Sequence, residues 1–233
     1  MELEIIRKES GQSMGQWVYG VLRGNIIKLH LVPGLAMTEV EIADQLHTSR
    51  TPVREAFIRL VEDGLLEIYP QKGSFVSLID IQQAEEACFV RRVLTKAILK
   101  EACEYFPEDC LFDLSANLTM QTFCKTQQNY EKMFDLDNEF HQILYRGSGK
   151  ERIWLQIRKM NGNFDRLRML RLFVSKFSWD KIIDEHHELT QLVIHKNSAN
   201  VDKMVDKHLK ESLFDGISLQ NAEYFKQDIR QYL

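Results

Sequence analysis

Four residues in the C-terminal two thirds of the chain have the types and spacing of a metal site. Asp137 and His141 are four residues apart, so on a helix both side chains project from one face. His186 and His208 each fall in line with apolar residues at helical spacing. Three imidazole nitrogens and one carboxylate oxygen suit a divalent ion, with zinc as the first choice and nickel, manganese or iron as alternatives. Each histidine alone is more typical of a hydrogen-bonded core or boundary residue than of a metal ligand, and the Asp–His pair is also typical of a surface i,i+4 contact.

A second set of residues has the pattern of a helix that reads DNA. Arg50 and Arg54 are four residues apart at the predicted start of a helix, beside the hydroxyl residues Ser49 and Thr51. Hydroxyls and backbone N–H groups can hold phosphates, while arginine forks can bind guanine in the major groove. Lys72, at the tip of a predicted hairpin, could reach an adjacent phosphate. The alternative is that the arginines form a solvated helix face.

The elements around these arginines predict a winged helix-turn-helix. Thr38 followed by Glu41 matches a capping box, and Gly64 matches the glycine that ends a helix. Pro52 falls in a first helical turn, where its missing N–H costs nothing. The predicted elements are helices over about 13–30, 39–45 and 49–63, and strands over 65–69 and 74–78. Residues 1–78 are therefore predicted to form the DNA-binding domain.

The rest of the chain, 79–233, is predicted to be an all-helical bundle. After Pro107 there is no proline, and apolar residues recur at helical spacing. The predicted helices cover about 80–104, 108–127, 130–146, 150–172, 178–195, 199–214 and 217–231. The fold class is thus mainly α, with a small hairpin wing near the N-terminus.

The N-terminal part resembles the GntR family of bacterial transcription regulators. The resemblance lies in Pro33-Gly34, Thr38-Glu39, Ile42-Ala43 and the stretch SRTPVREAFIRLVEDGLLEIYPQKGSFV. It implies that Arg50, Thr51 and Arg54 contact DNA, with Lys72 and Gly73 at the wing. Some members carry a further DNA-binding arginine where this chain has Val40, so the operator sequence does not carry over.

The C-terminal part resembles the FCD branch of the same family, an effector-binding helical bundle. The stretch DNEFHQILYRGSG, the EHHEL segment and a later HL pair carry this resemblance. It implies metal-ligand roles for Asp137, His141, His186 and His208. His187 is expected at the edge of the site, one residue further around the helix.

A small carboxylate is the expected effector, because an oxygen anion can complete the coordination of a metal and pair with arginine. Arg91 matches the position of an arginine that faces the pocket in the family's first bundle helix. Thr95 replaces the glutamate that usually follows, so this part of the pocket is expected to differ. Arg168 is a further effector-binding candidate, as is Arg166, although a basic helix face would also explain both.

Composition excludes several classes of protein. The 233 residues are 44% hydrophobic and 27% charged, and no apolar run approaches the roughly 20 residues that a membrane span needs. The four cysteines include no CxxC pair, and the N-terminus has no signal-peptide layout, so a cytoplasmic protein with reduced thiols is expected. The net charge of −4 argues against a protein that coats nucleic acid non-specifically.

These features predict a ligand-responsive transcription regulator that binds a pseudo-palindromic operator in double-stranded DNA as a homodimer. Effector binding in the bundle would change DNA affinity, whether the regulator acts as a repressor or an activator. A metal-dependent enzyme is the competing class, but the sequence offers no well-placed general base and no nucleophile motif. A third possibility is a regulator in which the metal itself is the signal.

Overall fold

The computed structural model describes residues 3–173, 179–210 and 219–227. The chain divides into two compact units, of which the first takes the described residues of 1–84, 162–167 and 218–233, and the second those of 85–161 and 168–217. The described elements, in chain order, are α1 (Met14–Ile27), β1 (Ala36–Met37), α2 (Glu39–Gln45), α3 (Arg50–Glu62), β2 (Leu66–Tyr69), β3 (Gly73–Val76), α4 (Ile81–Glu104), α5 (Glu108–Thr126), α6 (Tyr130–Gly147), α7 (Glu151–Met160), α8 (Gly162–Phe173), α9 (Trp179–Ile194) and α10 (Val201–Lys210). Two short 3-10 helices cover Ser198–Asn200 and Leu219–Tyr224.

Three helices of the first unit form the helical part of the predicted winged helix, in which α2 and α3 are the helix-turn-helix. α2 begins at the capping box of Thr38 and Glu41, in which each side chain bonds the other's backbone N–H. Helix α3 ends before Gly64, whose φ of +69° suits glycine. Ser49 stands at the N-cap of α3, but its hydroxyl makes no capping hydrogen bond. The apolar faces of α1 and α3 pack together, which fixes the direction in which α3 presents its polar residues.

The wing contains one strand more than the sequence predicts. β2 and β3 form the expected antiparallel hairpin, with Leu66 opposite Val76 and Tyr69 opposite Gly73. The two-residue strand β1 then pairs with the other edge of β3, so β3 lies in the centre of the sheet. A strand of two residues is too short to show the alternation of apolar and polar residues from which a strand is predicted. The sequence therefore does not predict β1.

Part of α8 and the segment 219–227 complete the first unit, where the prediction from sequence was wrong in two respects. The predicted α-helix over 217–231 is, within the described residues, a short 3-10 helix followed by a β-bridge from Phe225 to Ile79. Arg166 is not on a basic surface face. Its buried guanidinium donates to the Ser77 carbonyl at 2.6 Å and to Asn163 Oδ1 at 2.6 Å.

The second unit is a helical bundle, as predicted, but the single helix expected over 150–172 is two helices. α7 ends at Met160, and α8 begins at Gly162. Asn161 and Gly162 both have low helix propensity, so the pair is the sequence signal for this break. The core of the bundle contains buried Leu144, Trp154 and Leu189 among other apolar residues.

All four cysteines are buried free thiols. Among the described residues, no helix has both the length and the apolar character that a bilayer crossing requires.

Candidate nucleic-acid interface and metal centre

The two arginines of the candidate DNA-reading helix lie on one exposed face of α3. Their side chains are 62% exposed for Arg50 and 64% for Arg54. Both pair with Glu39, the first residue of α2. Arg54 makes a bidentate contact, with Nε and Nη2 each 3.0 Å from a Glu39 oxygen, and Arg50 Nη2 lies at 3.4 Å. The two helices of the motif are therefore joined by an ion-pair cluster at the point where α3 begins.

The electrostatics of this cluster suit a surface that can exchange partners. The hydrogen bond from Arg54, helped by both arginine charges, lowers the pKa of Glu39 below its ordinary value, so the carboxylate is ionised at neutral pH. Exposed ion pairs of this kind contribute about 0–1 kcal/mol each. Breaking the ion pairs to Glu39 therefore costs little free energy.

The other predicted DNA-contact residues are also accessible. Ser49 and Thr51 are exposed at the N-terminus of α3, and Lys72 and Gly73 are exposed at the tip of the β2–β3 hairpin. Gly73 has a φ of +112°, a conformation that favours glycine. The unused hydroxyl of Ser49 leaves it available to a phosphate.

The candidate metal centre lies in the bundle, where three helices bring their histidines together. His141 on α6, His186 on α9 and His208 on α10 place one ligand nitrogen each within 4.8 Å of the others. His208 Nε2 and His141 Nε2 are 3.2 Å apart, and Asp137 Oδ1 is 3.6 Å from His186 Nε2. The structure thus brings together all four residues predicted as ligands. Two buried imidazoles, a partly buried third and a carboxylate at these distances could hold a metal ion.

The tautomer of His186 follows from a chain of hydrogen bonds on its outer side. The Leu136 carbonyl can only accept, so Asn117 must direct its Nδ2 toward that oxygen (3.1 Å) and toward Glu139 Oε2 (3.0 Å). Asn117 Oδ1 then accepts from Gln121 Nε2 at 2.7 Å, and Gln121 Oε1 accepts from His186 Nδ1 at 2.8 Å. Nδ1 of His186 therefore carries the proton, and Nε2 has a free lone pair.

The charge of Asp137 is held by two arginines. Its Oδ2 accepts a hydrogen bond from Arg168 and faces Arg91 Nη2 at 3.5 Å. Burial opposes ionisation, but the neighbouring charges, above all Arg168, hold the pKa of Asp137 far below its ordinary range. Burial also lowers the pKa of His186, with further contributions from His208 and the arginines. Asp137 is thus ionised and His186 neutral at pH 7.

The sequence did not identify several residues around the ligands. Glu185, the residue before His186, is buried and accepts from His208 Nδ1 at 2.9 Å. Asn117 and Gln121, four residues apart on α5, are also buried. Polar residues at core positions were the available signal. His187, expected at the edge of the site, is exposed instead.

Two family models match the chain. The model described as "Bacterial regulatory proteins, gntR family" matches residues 15–76, and the FCD domain model matches residues 86–211, more than half of the chain. The chain belongs to the GntR family, in its FCD branch. Members of this branch are DNA-binding transcription regulators and not enzymes, and this chain is therefore a transcription regulator of the GntR/FCD type.

Known regulators resemble this GntR-family chain over most of its length. The HTH-type transcriptional repressor RspR of Escherichia coli (strain K12) is 28% identical to this chain. The alignment covers 93% of this chain and 96% of the repressor. An HTH-type transcriptional regulator in an unstable DNA locus of Streptomyces ambofaciens is 31% identical to this chain. The alignment covers 89% of this chain and 86% of that regulator. Among solved structures, E. coli McbR/YncC superposes with a TM-score of 0.76 at 20% identity, covering 86% of this chain and 95% of that chain. This structural likeness supports the same fold.

Proposed function

We propose that this GntR-family regulator binds a pseudo-palindromic operator as a homodimer and responds to a small carboxylate that binds beside a divalent metal ion. In this proposal, residues 1–78 bind DNA, and residues 79–233 hold the metal and the effector. Two copies are needed because one winged helix makes too few base contacts for specificity, and a two-fold operator matches a two-fold protein.

DNA recognition is assigned to the N-terminal half of α3 and the wing. Arg50 and Arg54 would read base edges, while Ser49 and Thr51 would hold phosphates. Lys72 and Gly73 would follow the adjacent backbone or minor groove. The support is that these residues are exposed and that the ion pairs to Glu39, which compete for the arginines, are weak.

One observation supports a metal in the bundle most strongly. His186 Nε2 and Asp137 Oδ1 face each other at 3.6 Å in a buried place, and neither atom carries a proton at pH 7. Two lone pairs in contact repel each other, and a buried acceptor without a donor is costly. His186 Nε2 has no hydrogen-bond partner among the described residues. A cation bound to both atoms removes this conflict, so the donor set fits a divalent metal.

A bound metal would supply a Lewis-acidic centre to which an effector oxygen can bind. Asp137, His141, His186 and His208 would hold it. We assign Arg91 and Arg168 to the effector's carboxylate, because both guanidinium groups lie at Asp137, beside the ligands. Ligand binding would then change operator affinity by a coupling of about 1–3 kcal/mol, the typical range for allosteric coupling.

One feature of the site favours a second candidate, in which the metal alone is the signal. Both arginines assigned to the effector already contact the protein's own carboxylate, Asp137. In that case operator affinity would follow metal loading and would not respond to organic acids.

Three measurements test these assignments. Elemental analysis with native mass spectrometry of the freshly purified protein should find a divalent metal, two chains per assembly and a retained organic acid.

Operator binding, measured by fluorescence anisotropy, should be lost in Arg50→Ala and Arg54→Ala but kept in Arg23→Ala, which removes the same charge from α1. Operator binding that survives both α3 substitutions would contradict the DNA assignment. Titration with metal and with a carboxylate panel separates the two candidates.

A further inference from the structure

The three histidines of the candidate metal centre differ in the hydrogen-bond partner of their Nδ1 atoms. His208 Nδ1 bonds a carboxylate oxygen of Glu185 at 2.9 Å, and His186 Nδ1 bonds the amide oxygen of Gln121 at 2.8 Å. His141 Nδ1 has no hydrogen-bond partner among the described residues. The site therefore has one ligand held by a charged group, one held by a neutral amide and one held by packing.

The contact at His208 determines which of its nitrogens can bind a metal. A carboxylate oxygen can only accept, so Nδ1 of His208 donates in this contact, and Nε2 is the nitrogen left to bind a metal. Nε2 is the nitrogen that faces His141 Nε2 at 3.2 Å. Glu185 thus points the lone pair of His208 into the cluster, and its negative charge makes that nitrogen a stronger donor.

The contacts at His186 continue into a neighbouring helix. Gln121 and Asn117 both lie on α5, which carries none of the four ligands, and Asn117 is anchored to the Leu136 carbonyl of α6. Since α6 carries Asp137 and His141, the hydrogen bonds connect the helix of two ligands to the helix of a third. The three side chains linked by these hydrogen bonds, Asn117, Gln121 and His186, are all buried.

The hydrogen-bond partners of the histidine Nδ1 atoms, Glu185 and Gln121, are themselves buried. Glu185 is 4% exposed, Gln121 is not exposed, and burying such groups is costly unless they are paired. An apolar residue at either position would avoid that cost. Their presence, aligned with the ligand nitrogens, therefore indicates a role in the metal site beyond packing.

We propose that Glu185 and the Asn117–Gln121 pair are positioning residues of the metal site, which fix the tautomers of His208 and His186 and thereby set the affinity for a divalent metal. Glu185 has the larger effect because it is charged. This inference rests on the proposed function, in which Asp137 and the three histidines hold the metal.

The test measures Zn²⁺ affinity by competition with a chromogenic chelator, in wild type and in four variants. Glu185→Ala should weaken binding about 10- to 100-fold, and Gln121→Leu about 10-fold, the range found when such outer contacts are removed. Glu185→Gln keeps the shape and an acceptor oxygen but loses the charge, so its affinity should fall between wild type and Glu185→Ala. Thermal unfolding of each metal-free variant checks that it folds.

The matched control is Glu188→Ala. Glu188 on α9 pairs with Lys207 on α10 at 2.9 Å, so it joins the same two helices as the Glu185–His208 contact but touches no ligand. Its loss should change Zn²⁺ affinity less than twofold. The absorption bands of bound Co²⁺ should likewise change in the Glu185 variants and not in Glu188→Ala.

The possible outcomes separate the two hypotheses. If wild type binds Zn²⁺ and the Glu185 and Gln121 variants bind it equally well, the positioning role is wrong and the metal site stands. If Glu188→Ala loses as much affinity as Glu185→Ala, the effect is one of helix packing, and the positioning role is again wrong. If wild type itself binds no divalent metal, the proposed function fails, and the positioning role fails with it.

Discussion

At the scale of single residues, the orientation of a side chain decides what a histidine can bind. His186 and His187 are neighbours in sequence, yet one is fully buried among ligand atoms and the other is exposed. The 100° rotation between successive helical residues produces this difference. The sequence pattern could place His186 on the apolar face, but its hydrogen bond to Gln121 joins residues 65 positions apart and is visible only in the fold.

This pair of neighbouring histidines offers a matched test. His186→Ala removes a ligand nitrogen, so the increase in melting temperature that added Zn²⁺ causes in wild type should disappear. His187→Ala removes an exposed imidazole from the same helix and should keep that increase. Differential scanning fluorimetry with and without Zn²⁺ measures both. A metal-induced increase that persists in His186→Ala would exclude this residue as a ligand.

A second prediction concerns Glu39, the carboxylate that pairs with the two candidate DNA-reading arginines. Glu39→Gln should strengthen binding to non-operator DNA by roughly 3- to 10-fold at low salt, because the ion pairs to be broken are worth about 1 kcal/mol together. The increase should shrink as salt is added. Fluorescence anisotropy with an unrelated duplex measures it.

Glu41→Gln is the control for that substitution. It removes the same charge from the same turn of α2, but Glu41 bonds Thr38 and contacts neither arginine. If both substitutions strengthen DNA binding equally, net charge explains the effect and competition by Glu39 does not.

At the scale of helices and strands, short-range signals were reliable where they describe the ends of an element. The capping box of Thr38 and Glu41 and the glycine at position 64 correctly placed α2 and the end of α3. The last predicted helix was wrong because residues 219–227 form a 3-10 helix and then bridge to Ile79, almost 150 positions away. A tertiary partner overrode the local helical pattern there.

The two N-caps of the helix-turn-helix should differ in their contribution to stability. Thr38→Ala removes a capping hydrogen bond and should lower the free energy of unfolding by about 1 kcal/mol. Ser49→Ala removes a hydroxyl that makes no capping bond, so stability should change by less than about 0.5 kcal/mol. Urea unfolding of both variants measures this. Operator affinity should fall in Ser49→Ala despite its unchanged stability, if the hydroxyl binds phosphate.

At the scale of the whole molecule, metal binding should appear as stability of the folded chain. Removal of the metal with a chelator should lower the free energy of unfolding by about 2.7 kcal/mol when the free metal had been at 100 times Kd. For a unit of this size that corresponds to about 5–10 °C in melting temperature. Calorimetry before and after chelation, with metal added back, measures it.

The same samples show whether the metal is structural or sensory. Operator affinity that stays constant after chelation, while stability falls, would indicate a structural metal. A change in operator affinity that metal alone restores would favour the metal as the signal. A carboxylate effect that requires bound metal supports the proposed effector site.

By itself, the sequence determined the winged helix, the mainly helical character of the rest of the chain, the family and the four candidate ligands. These depend on helical periodicity, on turn residues and on motifs, all of which lie within a few positions along the chain. Only the tertiary structure decided that Arg91 and Arg168 meet at Asp137, that Glu39 joins Arg50 and Arg54, and that Glu185 and Gln121 bond the candidate ligand histidines. Each of these contacts joins side chains of different helices, and its geometry depends on how the helices pack.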